Sequence, residues 1–128
     1  MRRALMVILG LALGANAGWM LASPLGWYNA VPGVAATGPA NQHFIRDIGC
    51  AYLVCAIALF WLAAAAKTAW PAAMAAGGFL ALHALVHLWD ALAGRESGHQ
   101  LLADLPAVFL PGILVIWLGW PVRRAEKE

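Results

Sequence analysis

Apolar residues run along the chain in four long blocks, at residues 4–22, 44–66, 70–92 and 104–121. Between them lie short stretches where polar, proline and glycine residues gather. A helix that crosses the hydrocarbon layer needs about 20 apolar residues at 1.5 Å each to cover roughly 30 Å. The first three blocks have that length. The fourth reaches it if its helix begins nearer His99, which the apolar Leu101, Leu102 and Ala103 permit. The pattern predicts an all-α protein, an integral membrane four-helix bundle forming one transmembrane domain with an outer loop at 23–43.

Composition narrows the class. Of 128 residues, 63% are hydrophobic and 11% charged, against about 45–50% and about 25% in soluble domains. So few charges cannot cover a soluble sphere of this size, which excludes a soluble enzyme or a disordered tail. A formal net charge of +2 makes no basic patch for nucleic acid. The expected partner is the lipid bilayer.

The basic residues orient the spans. Arg2 and Arg3 precede the first block, Lys67 separates the second from the third, and Arg123, Arg124 and Lys127 follow the fourth. Residues 23–42 contain neither Lys nor Arg. By the positive-inside rule both termini and the Lys67 turn are cytoplasmic, and 23–43 and 93–104 face outward. Arg95 is the one dissenting cation, balanced by Glu96. Trp19, Trp27, Tyr28, Trp61, Trp70, Trp89 and Trp120 fall near span ends, as an interfacial aromatic belt would.

The first block has a second reading. Arg2 and Arg3, an apolar run and Ala15-Asn16-Ala17 also fit a cleaved signal peptide. Against it, Gly10, Gly14 and Gly18 recur every four residues, a small-residue stripe on which another helix can pack closely in lipid. That stripe is a candidate surface for a membrane protein partner or a homo-oligomer. Ala63 to Ala66 and the small residues from Ala72 to Gly78 predict a tightly packed antiparallel hairpin between the second and third spans. Pro71 is expected in the first turn of its helix and Pro111 at a kink. Cys50 and Cys55 stand about 140° apart around one helix, cannot bridge each other there, and read as structural thiols.

Ionisable side chains in a bilayer are costly and mark candidate sites. Here they gather toward the outer side. The stretch NQHFIRDIG supplies Asn41, His43, Arg46 and Asp47; HALVHLWD supplies His83, His87 and Asp90; Asp104 stands at the entry to the fourth span. His83, His87 and Asp90 share one helix face. By rise per residue Asp47 lies level with His87 and Asp90 on an antiparallel neighbour. One reading is a metal site with His83, His87, Asp90 and Asp47 as ligands and Arg46 as counter-charge. Imidazole and carboxylate on facing helices suit a transition metal such as Zn, Fe, Mn or Cu. Haem would need two histidines on facing helices, with His43 opposite His83 or His87. A proton relay lacks any titratable residue further inward.

The competing reading is a polar network that locks helix packing, with Arg46 paired to Asp47, Asp90 or Asp104 and the histidines bonded to them. A lock of that kind makes Asp47 and Asp90 strongly stabilising. Asp104 precedes Leu-Pro and Asn41 precedes the second span, so each also fits a helix N-cap. The uncharged 23–43 loop, with three prolines, Trp27 and Tyr28, is expected to lie over this cluster as a lid.

The run Arg46-Asp47-Ile48-Gly49-Cys50-Ala51-Tyr52-Leu53 resembles a pattern in small four-helix bacterial membrane proteins of the DoxX-like kind and neighbouring families. The resemblance covers the second span and the four-span layout. It implies a bacterial inner-membrane bundle, and some DoxX-like proteins are accessory subunits of quinone-linked oxidoreductases. The HALVHLWD stretch has no counterpart in that pattern. The functional expectation is therefore a site for a metal ion or polar small ligand, or else a non-catalytic membrane subunit or assembly factor.

Overall fold

The computed structural model describes residues 1–95 and 97–120; among these there is no strand. Helix α1 spans Arg2–Ala22, a short α2 spans Pro24–Ala30, α3 spans Gln42–Ala64 and α4 spans Ala66–Leu92. Helix α5, Gly98–Asp104, passes through one wide turn at Leu105–Phe109 into α6, Leu110–Gly119. Four stretches are long and apolar enough to cross a membrane: α1, α3, α4 and the continuous run Gly98–Gly119. The molecule is an all-α bundle built as a multi-pass membrane protein.

Local chemistry explains the helix ends. Asn41 caps α3, its Oδ1 accepting from the Phe44 N–H at 3.1 Å, as its position predicts. Ser97 caps α5, accepting from the Gln100 N–H at 3.1 Å. The fourth span thus begins at Gly98, and Asp104 is not its N-cap. Leu110 N–H bonds to the Leu105 carbonyl, five residues back. Pro106 and Pro111 each remove a donor from the ladder, and the wide turn between them absorbs the mismatch. Helix α4 starts at Ala66, four residues before the predicted 70, so Pro71 lies inside it rather than in its first turn.

The helices pair through small residues. Helix α1 lies along α3 for most of its length, α4 lies along α6, and a lesser α3–α4 contact joins the pairs. A Cβ at Gly10 would stand 2.9 Å from the Phe60 ring, one at Gly14 3.6 Å from Ala56, and one at Gly49 3.0 Å from Met20. The Gly10 and Gly14 part of the glycine stripe is therefore filled by α3 of the same chain, and Gly18 alone is open. On α4 the thin face meets α6: a Cβ at Gly77 would lie 2.7 Å from Ile116, and Gly119 sits against Ala73. The small residues of α4 serve α6 more than the predicted α3–α4 hairpin.

Two apolar clusters fill the interior. One holds Leu13, Met20, Tyr52, Leu59, Leu80 and Val115, with Cys55 buried among them. The other holds Met6, Leu62, Ala69, Ala73 and Leu118. Outward-facing positions are equally apolar: Ile8, Val54, Leu82 and Ile113 are each more than 60% exposed. Such a surface is stable only in lipid. Arg2, Arg3, Lys67 and Trp120 line one groove at one end, so the N-terminus, the α3–α4 turn and the end of α6 share a side, as the four-span layout requires. Arg123, Arg124 and Lys127, which also entered the orientation, lie outside the described residues, as does Glu96.

Candidate functional site

The polar cluster forms where α5 meets α4, opposite the Arg2 and Lys67 end. Asp104 is the one buried charged residue among those described, at 7% exposure. Its Oδ2 lies 2.9 Å from His87 Nδ1, and its Oδ1 accepts from Gln100 Nε2 at 3.0 Å. Gln100 and Asp104 are four apart on α5, so both reach the same side of that helix. His87 projects from α4. The carboxylate therefore ties α4 to the start of the fourth span, and it fixes the orientation of the His87 ring.

Behind His87 runs an aromatic ladder. Phe79, His83 and His87 follow one another one turn apart on α4. The His83 and His87 rings meet edge to face with centroids 4.9 Å apart, and His83 stacks on Phe79 at 6.2 Å. From α3, Tyr52 meets both Phe79, at 5.8 Å, and His83, at 6.0 Å, edge-on. The imidazoles thus pass from a carboxylate at the rim to an aromatic wall inside.

The structure regroups the residues singled out from sequence. His83 and His87 do adjoin. Asp90 faces Arg95, with Oδ1 2.6 Å from Nη2 and 2.7 Å from Nε. The cause is the end of α4: Gly94, at φ +71°, turns the chain so that Arg95 N–H bonds to the Asp90 carbonyl and Gly94 N–H to that of Ala91. That six-to-one and five-to-two pair is a Schellman closure, and it returns Arg95 over Asp90. Sequence spacing alone paired Arg95 with its neighbour Glu96.

Asp47 does not join the histidines of α4 as its depth predicted. Its side chain is 58% exposed and stands 3.5 Å from His43, itself 89% exposed. The reason is angular: Tyr52, about 140° further around α3, occupies the inward face and leaves Asp47 on the outer one. Arg46 donates from Nε to the Leu21 carbonyl at 3.3 Å and makes no ion pair among the described residues. His43 on that outer face does not stand opposite His83 or His87. Asn41 caps its helix. Among the described residues, no three His, Cys, Asp or Glu side chains are grouped to hold a metal ion.

Gln100 and Tyr52 complete the network without having been singled out. Gln100 had a signal: Ser97-Gly-His-Gln100 is a capping pattern that starts a helix there, placing Gln100 one turn before Asp104. Tyr52 had only its aromatic character and its place in the Arg46–Leu53 run. The segment 23–41 also departs from an unstructured loop. Trp27 Nε1 donates to Asn16 Oδ1 at 2.8 Å, and Tyr28 donates to the Gly38 carbonyl at 2.6 Å. It reaches the network at Gln100, whose amide lies 3.5 Å from the Pro32 carbonyl. The same amide fills the space that a Cβ on Gly33 would need, and Gly33 has φ +85°.

The chain matches no family model, and comparison with curated proteins and with solved structures gives no match. Its function is read from this geometry.

Proposed function

We propose that this chain is a bacterial inner-membrane protein, its termini and Lys67 turn cytoplasmic, that serves as a non-catalytic subunit or assembly factor. In this reading the His/Asp/Gln network locks the fourth span onto α4 and turns over no substrate. Asp104 carries the argument. It is nearly buried, and both carboxylate oxygens are engaged by side chains of the same chain, on two helices. A carboxylate so held is satisfied as a structural tie. Asp90 is engaged by Arg95, and Asp47 stands beside His43 at the surface. The distribution of Lys and Arg supports the orientation.

A second reading has one specific observation behind it. Asp104 holds Nδ1 of His87 while His83 adjoins the ring, and a carboxylate behind an imidazole is how proteins orient metal-binding histidines. That reading makes His83 and His87 the donors for a transition metal or a polar ligand, with Asp104 in the place first given to Asp47 and Asp90. Elemental analysis of the full chain purified in detergent, with His83→Ala and His87→Ala beside it, separates the two. The lock reading predicts no stoichiometric metal and a melting curve indifferent to chelators. Stoichiometric metal that disappears in both variants, while they remain folded, overturns it in favour of the second.

A further inference from the structure

The end of the bundle away from the histidines carries a groove of about 620 Å³. Arg2, Arg3 and Lys67 line it, with Trp70 and Trp120, and no acidic residue stands among its described walls. Met6 and Leu118 give it an apolar lining deeper in. Arg2 is held in place: Nη2 donates to the Trp117 and Leu118 carbonyls, each at 3.1 Å, and the guanidinium lies 5.2 Å from the Trp117 ring centre. Its Nε is buried with no hydrogen-bond partner among the described residues. None of these three cations has an acidic partner among the described residues, and together they suit an anion.

A second hollow, of about 540 Å³, adjoins the first, since Arg2 and Trp120 line both. Its other walls are Ile113, Ile116 and Trp117, and it is almost wholly apolar. A charged groove beside an apolar one, with Arg2 and Trp120 shared between them, matches an amphiphile rather than a free anion.

We propose that these two hollows form a site for one anionic phospholipid. Its phosphate lies among Arg2, Arg3 and Lys67, and an acyl chain runs along Ile113, Ile116 and Trp117. Basic pockets between membrane helices take acidic headgroups for the same electrostatic reason. Trp70 and Trp120 suit the headgroup level, where amphipathic rings settle.

The test uses the full chain, delipidated in detergent, with melting temperature and native mass spectrometry as readouts. Phosphatidylglycerol is expected to raise the melting temperature and to stay bound, whereas phosphatidylcholine and inorganic phosphate do neither. Arg3→Gln and Lys67→Gln should each lower the preference for phosphatidylglycerol about fivefold. Neither side chain takes part in packing, since both are exposed, so these variants stay folded where an Arg2 substitution risks unseating α6. Equal effects of the two lipids would reduce the site to ordinary lipid contact and overturn the proposal. So would an equal response to inorganic phosphate, or an unchanged preference in both variants.

Discussion

Removing the Asp104 carboxylate should loosen the fourth span more than loss of the Asp90 or Asp47 carboxylate. Asp104→Ala deletes the acceptor for two side chains, His87 at 2.9 Å and Gln100 at 3.0 Å. Interhelical hydrogen bonds in membrane proteins average about 0.6 kcal/mol and reach about 1.7 kcal/mol. The side chains of His87 and Asp104 are only 22% and 10% exposed, so solvent replaces little of what is lost. Only the His87 bond is interhelical; with the Gln100 bond within α5 adding about 0.2–0.5 kcal/mol, the cost comes to roughly 1–2 kcal/mol. Asp104→Asn keeps one acceptor oxygen but turns an amide toward the second donor, and should cost about half as much. Asp90→Asn gives up a pair whose Arg95 partner is 57% exposed, worth about 0–1 kcal/mol. Asp47→Asn, at a surface position, should stay within about 0.5 kcal/mol. Equilibrium unfolding in mixed micelles of rising denaturing-detergent fraction ranks the four variants. An Asp104→Ala protein as stable as the parent, or an Asp47→Asn protein equally damaged, would refute the reasoning.

Other substitutions probe the packing. Gly33→Ala puts a side chain at φ +85° and into the Gln100 amide, so about 1–3 kcal/mol of stability should be lost, with faster proteolysis of the 23–41 segment as a second readout. Gly112→Val drives carbon into the Ala81 and Leu80 backbone, 3.3 Å from where its Cβ would stand, and should cost about 1–3 kcal/mol; Gly18→Ala, with nothing within 4 Å, should be neutral or gain a few tenths of a kcal/mol from helix propensity. In detergent a membrane-permeant maleimide should modify Cys50, which no other part of the protein covers, ahead of Cys55, which is buried and reacts only on unfolding, with mass spectrometry counting the adducts.

Much of the fold was legible because a bilayer imposes length and polarity so strictly. Four apolar blocks read directly as four spans, Asn41 as a cap, and the early start of the fourth helix from Leu101 and Leu102. What failed depended on angle and on turns. Depth along a helix follows from residue count, but the rotation of Asp47 depends on how α3 packs, with Gly49 against α1 and Tyr52 against α4. Asp90 was lost to Arg95 by the closure at Gly94, a single glycine whose φ +71° decides where the next side chain goes. Asp104 looked like a cap because Leu-Pro follows it, but the helix had already begun at Ser97. The glycine stripe announced close packing, but it was offered as a surface for a partner chain, whereas at Gly10 and Gly14 α3 of the same chain takes it. His83 and His87 survived intact because their four-residue spacing on one helix needs no tertiary information.

A lock on the fourth span requires His87 and Asp104 to act as one unit. A double-mutant cycle with His87→Leu, Asp104→Leu and the pair, unfolded under identical conditions without added metal, measures that directly. The lock predicts a coupling of about 0.6–1.7 kcal/mol, with the double variant closer to the parent than the sum of the single losses. Single losses that add within about 0.3–0.5 kcal/mol would show the two side chains to be independent, and would contradict it.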